Sequence, residues 1–253
     1  MISLYASVKY RLDPYLKRFY FPNNKGFCPI CKTDTVFYEY AEWLRDNYLC
    51  EKCKSIPRNR ALVRALDRFY PGWEEVMLHE SSPGGPFSEF LQRTSKNYSG
   101  SHYYDNVPRG EYLNGYRSED LSALTFDDNT FDLFITSDVF EHVLEPGPAF
   151  KEIARVLKPG GAHIFVMPWY PALEHSVQRA SLQDGKINYL VEPIYHGNPI
   201  SEKGSLVTND WGRDFCSFIY SNSGMFTTIY LEKDRHFGLE AEFLEVFISK
   251  KPS

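Results

Sequence analysis

The chain has 253 residues, of which 43% are hydrophobic and 24% are charged, and its formal net charge is −5. These values are typical of a folded globular protein and leave room for one domain plus a small module. No run of roughly eighteen apolar residues predicts a membrane-spanning helix, and no secretory signal is recognisable, so we predict a cytoplasmic location.

The charge is divided unevenly along the chain. Residues 1–73 hold 13 Lys or Arg and 7 Asp or Glu, a net +6, whereas residues 74–253 hold 15 and 26, a net −11. The first part therefore either meets an anionic partner or packs against the acidic remainder. Apolar residues at roughly helical spacing in residues 1–22 predict an amphipathic helix that packs against the body.

Four of the five cysteines form two CxxC pairs separated by 18 residues: Cys28, Cys31, Cys50 and Cys53. Two residues between cysteines let both sulfur atoms bind one ion, and two such pairs complete the tetrahedral ligand set of structural zinc. Two disulfides are the alternative, which a reducing cytoplasm disfavours. Because four thiolates leave no open coordination position, we expect a structural zinc in an N-terminal module that spans residues 1–56.

A helix is predicted to begin at Pro57, with an apolar stripe from Leu62 to Phe69. Three arginines recur on it at a spacing of four residues: Arg60, Arg64 and Arg68. They form either a phosphate-binding row or a solvated helix face.

From residue 74 onward, apolar runs typical of buried strands alternate with helical patterns. Strands are predicted at 76–78, 131–136 and 162–167, and helices at 86–94 and 149–157. This alternation predicts an α/β domain over residues 57–253, with a mostly parallel sheet covered by helices on both faces. Residues 169–215 break the rhythm and are predicted to form an insertion or lid. Residues 219–232 and 243–249 are then two final strands at an antiparallel edge.

Residues 119–168 carry an ordered series of motifs. The series is Glu119-Asp120-Leu121, FDDNTFDLFITSDVFEHV at 126–143, RVLKPGG at 155–161 and HIFVMP at 163–168. It resembles the class I S-adenosylmethionine-dependent methyltransferases. The resemblance implies a Rossmann-like fold over residues 57–253, S-adenosylmethionine as the cofactor and methyl transfer as the reaction.

In that family the loop after the first strand, an acid followed by glycines, wraps the methionine end of the cofactor. The matching stretch, residues 78–87, offers four candidates: Glu80, Ser82, Gly84 and Gly85. Glycines let a backbone approach a ligand closely, and the N–H groups at the start of the following helix favour a carboxylate. The run 81–83, Ser-Ser-Pro, departs from the family's glycine spacing.

The resemblance also implies an acid near the end of the second strand for the ribose hydroxyls. The candidate strand end is 101–105, which contains Tyr103 and Asp105. By the same resemblance Asp120 pairs with the adenine amino group, with Leu121 beside it. Asp138 ends the 131–136 strand and is expected to face the cofactor or substrate from the carboxyl edge of the sheet.

The 169–215 region contains the candidate catalytic residues. An oxygen acceptor benefits from a base that removes its proton, and we predict His196 as this base and Asp210 as the residue that orients it. The predicted function is methyl transfer to a small-molecule or glycan-like acceptor. Two alternatives stay open: an RNA methyltransferase that uses the zinc module for binding, and a catalytically silent binding protein with an altered cofactor loop.

Overall fold

The computed structural model describes residues 19–198 and 201–253. The helix predicted for residues 1–22 lies almost wholly outside this range. The helices are α1 (Leu44–Asn47), α2 (Pro57–Phe69), α3 (Gly85–Thr94), α4 (Pro146–Val156) and α5 (Phe215–Ser223). The strands are β1 (Asn23–Cys28), β2 (Thr33–Glu39), β3 (Tyr48–Cys50), β4 (Met77–Ser81), β5 (Asn97–His102), β6 (Tyr112–Leu113), β7 (Tyr116–Ser118), β8 (Phe131–Ser137), β9 (Leu157–Val166), β10 (Val177–Gln178), β11 (Ala180–Gln183), β12 (Lys186–Tyr189), β13 (Tyr195–Asn198), β14 (Ser201–Leu206), β15 (Asn209–Asp210), β16 (Phe226–Tyr230) and β17 (Val246–Lys250).

Eight strands form the central sheet in the order β16-β17-β9-β8-β4-β5-β7-β6. The five strands from β9 to β7 are parallel. The edge strands β16, β17 and β6 run antiparallel to their neighbours. The strand order reverses direction at β4, with β5 on one side and β8 on the other. Open α/β sheets bind ligands at such a switch point, beyond the carboxyl ends of the strands.

Helices cover both faces of the sheet, because successive side chains on a buried strand point to opposite sides. On β8, Leu133 and Ile135 pack into a core with α2 and α3, whereas Phe134 packs into a second core with α4 and α5. The predicted α/β fold with a mostly parallel sheet is thereby confirmed.

The last two strands differ from the predicted bounds. Ile219 belongs to α5, which packs its buried Phe215 and Ile219 against the α4 face of the sheet. The helix ends at Gly224, whose φ of +71° is the left-handed conformation that glycine adopts readily. Only residues 226–230 and 246–250 therefore remain as the antiparallel edge, and the sequence interpretation had placed part of α5 in a strand.

The N-terminal module is an antiparallel three-stranded sheet, β1-β2-β3. Val36, Tyr38, Tyr40 and Leu49 form a small cluster within the module. Cys28, Phe37 and Tyr48 instead pack in the same cluster as α2 and the central sheet. The buried Arg60 of α2 joins the two parts, since its guanidinium donates to the carbonyl oxygens of Tyr48, at 2.8 Å, and Gly238, at 2.7 Å. Arg60 is thus neither a phosphate ligand nor a solvated side chain.

Residues 169–215 contain three small antiparallel strand pairs, β10/β15, β11/β12 and β13/β14. They are attached to the segment that follows β8. The backbone N–H of Thr208 donates to the carbonyl of Glu141 at 2.7 Å, and the Trp211 indole donates to the carbonyl of Phe140 at 3.1 Å. This insertion therefore lies against the carboxyl edge of the sheet.

Candidate functional site

Four adjacent parallel strands end at one edge of the sheet, in the order β8, β4, β5 and β7. The residues that follow them directly are Asp138, Ser82, Tyr103 and Glu119. The loops that contain the predicted cofactor residues, after β4, β5, β7 and β8, thus lie at a common edge of the sheet. The insertion lies against the turn after β8, because the N–H of Thr208 donates to the carbonyl of Glu141.

The loop after β4 is braced by a buried carboxyl group. Glu80 accepts hydrogen bonds from the hydroxyls of Ser88 and Tyr98, each at 2.7 Å. The Ser88 hydroxyl oxygen in turn accepts from the N–H of Gly84 at 2.6 Å. Burial raises the pKa of Glu80 to about 7, against the lowering effect of the two hydrogen bonds. Glu80 therefore stabilises the loop from its buried side. Both hydrogen-bond partners of its carboxyl group are protein side chains, so these contacts do not involve a ligand.

The upper side of the same loop is open. Ser82 has a φ of +61°, and its N–H donates to the carbonyl of Ser101 at 2.7 Å, which turns the chain away from β4. A Cβ atom at Gly84 or Gly85 would meet no other atom within 4 Å. The ten-residue helix α3 begins at Gly85, and the first N–H groups of a helix have no acceptor within the helix itself.

Tyr103, Asp105 and Asp120 lie close together beyond β5 and β7. Partial burial raises the pKa of Tyr103, and the carboxylates of Asp105 and Asp120 raise it further. The tyrosine ring is 59% exposed, so it offers a flat face at this edge. Asp120 accepts from the N–H and the hydroxyl of Ser122 through one oxygen, Oδ1, at 2.8 and 2.7 Å. Its neighbour Leu121 is buried in the core beneath the site.

Asp138 holds the N-terminal module against the sheet. Its carboxylate forms ion pairs with Arg45 and, at 2.6 Å, with Arg58. The residue itself has a φ of +51°, and its N–H donates to the carbonyl of Val166 at 2.9 Å. Neither Arg45 nor Arg58 was among the predicted site residues, because nothing in the local pattern links them to a carboxylate 93 and 80 residues further along the chain.

The two predicted catalytic residues have different partners. Asp210 accepts from Arg179 at 2.6 Å, and the His196 ring lies against the His142 ring with centroids 5.1 Å apart. Among the described contacts, His196 is therefore next to His142, and Asp210 fixes the guanidinium of Arg179. Arg179 and His142 were not among the predicted site residues.

The four cysteines of the N-terminal module converge. Their sulfur atoms all lie within 4.8 Å of one another, and the Cys28–Cys53 and Cys31–Cys50 distances are 3.6 and 3.8 Å. A disulfide would require sulfur atoms about 2.05 Å apart, so none of these pairs is bonded. Hydrogen bonds from the neighbouring thiols lower the pKa of Cys50, as expected where one thiolate forms first in a crowded set.

The basic N-terminal part uses several of its charges within the molecule. Besides the pairs at Asp138, Arg64 of α2 forms a two-pronged contact with Glu232, at 2.8 and 3.0 Å. Arg235 of the body in turn pairs with Glu39 of the N-terminal part. The uneven charge along the chain is thus partly explained by packing of the basic part against the acidic body.

Comparison with known proteins agrees with this geometry. Residues 86–165 match a family model described as a methyltransferase domain, which covers α3 to β9 and therefore most of the edge described above. A search of curated protein sequences finds no significant match.

Several solved structures are similar in fold. An S-adenosylmethionine-dependent methyltransferase from Mesorhizobium loti is 15% identical, with 75% of this chain and 96% of that chain covered and a TM-score of 0.47. A putative methyltransferase from Haloferax volcanii, solved with the activator Trm112, is 15% identical, with coverage of 78% and 90% and a TM-score of 0.49. A phosphoethanolamine N-methyltransferase from Haemonchus contortus, solved with S-adenosylhomocysteine, is 14% identical, with coverage of 80% and 55% and a TM-score of 0.48.

The match over residues 86–165 confirms the enzyme class predicted from the sequence, an S-adenosylmethionine-dependent methyltransferase. Within residues 19–198 and 201–253, each helix is too short or too polar to cross a bilayer.

Proposed function

We propose that the protein transfers a methyl group from S-adenosylmethionine to a small-molecule or glycan-like acceptor bound between the carboxyl edge of the sheet and the insertion. One observation carries the proposal: the open glycine loop, the Tyr103–Asp120 group and the insertion lie along a single edge of one parallel sheet. When bound, the cofactor supplies a methyl group on a positively charged sulfur.

The residues present fit this cofactor. The free space beside Gly84 and Gly85, at the N-terminus of α3, suits the carboxylate at the methionine end of the cofactor. The exposed ring of Tyr103 offers a surface for the ribose and adenine, and the carboxylate of Asp120 accepts from the adenine amino group. Asp138, although ion-paired, stays a predicted contact to the cofactor or the acceptor.

The acceptor site is assigned to the insertion. His196 is exposed on β13, and its ring contacts that of His142 in the turn after β8; this contact supports an acceptor site between the insertion and that turn. His196 stays the predicted proton acceptor. Asp210 would have an indirect role, because its carboxylate fixes the guanidinium of Arg179 within the insertion.

The cysteine cluster fits a structural zinc ion. Four ligands at about 2.3 Å from a tetrahedral ion are about 3.8 Å from one another, and two of the sulfur pairs lie at 3.6 and 3.8 Å. Such a zinc would stabilise the module that Arg45 connects to Asp138. Free thiols in this arrangement also suit a reducing compartment, which supports the predicted cytoplasmic location.

Calorimetric titration with S-adenosylmethionine and S-adenosylhomocysteine tests the proposal. We expect micromolar binding that Asp120→Ala weakens at least tenfold, because the adenine amino group loses its acceptor. Asp127→Ala, a change to a carboxylate outside the predicted site, is the matched control and should leave the affinity unchanged. A folded protein that binds neither ligand would refute the methyltransferase proposal and favour the silent binding protein.

The RNA alternative is tested in the same preparation. Phosphate contacts make RNA affinity fall steeply with salt. We expect at most weak RNA binding, because Arg58, Arg60 and Arg64 are engaged by protein groups. A steep salt dependence that Lys25→Ala or Lys52→Ala reduces would instead favour RNA as the partner.

A further inference from the structure

A second group of ligand-type side chains lies at the acceptor end of the sheet edge. Glu141 and His142 follow β8, and His196 reaches them from β13 of the insertion. One potential ligand atom from each of the three residues lies within 4.8 Å of the other two. The cluster is far from the cysteines in the chain and contains different ligand types.

Glu141 is the unusual member of this group. The residue is 2% exposed, and neither carboxylate oxygen has a hydrogen-bond partner among the described residues. Its backbone carbonyl, in contrast, accepts from Thr208, so the insertion fixes its position. A buried carboxyl group without a partner is costly, and proteins rarely keep one unless it binds a ligand, an ion or water.

His142 presents a lone pair to the same place. Its Nδ1 lies 2.8 Å from the carbonyl oxygen of Leu206. Because a carbonyl oxygen only accepts, Nδ1 carries the hydrogen, and Nε2 is left as the free ligand atom. This Nε2 lies 3.7 Å from Oε1 of Glu141, too far for a hydrogen bond. A backbone carbonyl behind a histidine is the usual support of a metal-binding imidazole.

His196 completes the group from the opposite side. Its ring is perpendicular to that of His142, with centroids 5.1 Å apart, and its side chain is exposed. Ligands about 2.1 Å from a tetrahedral ion are separated by roughly 3.4 Å. The Glu141–His142 distance is already close to this value, and an exposed side chain such as His196 can make the remaining adjustment by rotation.

We propose that Glu141, His142 and His196 bind a divalent transition-metal ion that takes a hydroxyl group of the acceptor as a further ligand. Two histidines and one carboxylate are the ligand set of catalytic zinc and of non-haem iron sites, and three protein ligands leave positions open. The proposal rests on the function proposed above and makes the acceptor an alcohol, a phenol or a sugar hydroxyl.

The metal would take over the role predicted for a free base. A bound divalent ion lowers the pKa of an oxygen ligand by several units, which produces a nucleophile at neutral pH. In the balanced reaction the hydroxyl proton passes to solvent and an O–C bond forms. The C–S bond breaks, and its electron pair stays on sulfur, which leaves in the neutral S-adenosylhomocysteine. His196 would then act as a ligand, and not as the proton acceptor.

Metal content measured by mass spectrometry tests the site without any acceptor. Purified protein is equilibrated with Zn²⁺, passed through a desalting column and compared with Glu141→Gln, His142→Ala and His196→Ala. We expect two zinc ions per chain in the unaltered protein and one in each variant. His175→Ala, which changes another exposed histidine of the insertion, is the matched control and should retain two.

Titration with Co²⁺ provides a second readout. The zinc-loaded unaltered protein and the zinc-loaded His196→Ala variant are first treated with a mild chelator, which removes zinc from the three-ligand site but not from the cysteines, and are then titrated with Co²⁺. Cobalt held by nitrogen and oxygen gives visible bands without the intense near-ultraviolet absorption of cobalt thiolates, and these bands should weaken at least tenfold in His196→Ala. A single zinc per chain in the unaltered protein, or a second zinc that persists in all three variants, would overturn the inference. Cofactor binding without a second metal contradicts this inference alone, whereas a second metal without cofactor binding contradicts only the methyltransferase proposal.

Discussion

The buried guanidinium of Arg45 is one of the polar contacts between the N-terminal module and the sheet. The Arg45 side chain is 4% exposed, and it donates both to the carboxylate of Asp138 and to the carbonyl of Phe243. Arg45→Ala removes both hydrogen bonds and leaves the Phe243 carbonyl with fewer donors. Arg58 continues to pair with Asp138, so the carboxylate keeps part of its charge compensation.

These contacts set the expected magnitude. Breaking a buried ion pair costs about 3–5 kcal/mol when the remaining charge is left uncompensated. Because Arg58 still compensates Asp138, whose side chain is 23% exposed, the cost falls below this range. We expect Arg45→Ala to reduce the free energy of unfolding by about 2 kcal/mol, the cost of losing hydrogen bonds made by a charged group. Urea denaturation of the zinc-loaded protein, followed by the fluorescence of its four tryptophans, measures the change.

Lys96→Ala is the matched control. Lys96 and Glu75 form an ion pair at 2.8 Å, but their side chains are 69% and 61% exposed. Solvent screening limits such a pair, and we expect a change below about 0.5 kcal/mol. If Arg45→Ala proves no more destabilising than Lys96→Ala, the module is not held by this ion pair and the reasoning is wrong.

Four further predictions concern the zinc module and the cofactor loop. Cys50→Ser should remove the zinc of the module and expose β1–β3 to proteolysis, and an unchanged digestion pattern with full zinc content would contradict the structural role. Burial raises the pKa of Glu80 from 4.5 to about 7, so its neutral form favours the folded state; this stability is complete below pH 4.5 and is lost as the pH rises through 7. Between pH 4.5 and 8 the free energy of unfolding should therefore fall by up to about 3 kcal/mol more in the unaltered protein than in Glu80→Gln. The same pH dependence of this free energy in both proteins would refute the prediction. Gly84→Ala should change the free energy of unfolding by less than about 1 kcal/mol, because the added Cβ meets no protein atom within 4 Å. The same Cβ occupies the space proposed for the cofactor carboxylate, so calorimetry should show S-adenosylmethionine binding about tenfold weaker. Gly26→Ala should lower the free energy of unfolding by more than about 2 kcal/mol, because its Cβ would lie 2.1 Å from the backbone oxygen of His236. Equal effects of Gly26→Ala and Gly84→Ala on stability would contradict both predictions.

Local sequence patterns were sufficient for the elements of the domain. Alternation of apolar strands and helical stripes predicted the parallel sheet, and Pro57 marked the start of α2 correctly. The CxxC spacing predicted the cysteine cluster, since two short knuckles fix most of its geometry locally. The same reasoning placed Ile219 in a strand, because a short apolar run does not by itself distinguish a strand from a helix.

The sequence by itself determined the fold class, the position of the cysteine cluster and the loops that reach the edge of the sheet. Only the tertiary structure decided which charged groups face one another: Arg45 and Arg58 with Asp138, Arg179 with Asp210, and His196 with Glu141 and His142. Periodicity records which side of an element is buried, and it carries no information on the partner that an element far along the chain brings to that side. Partnerships of this kind depend on the strand order and on the path of the insertion, and these are set by packing of the whole chain.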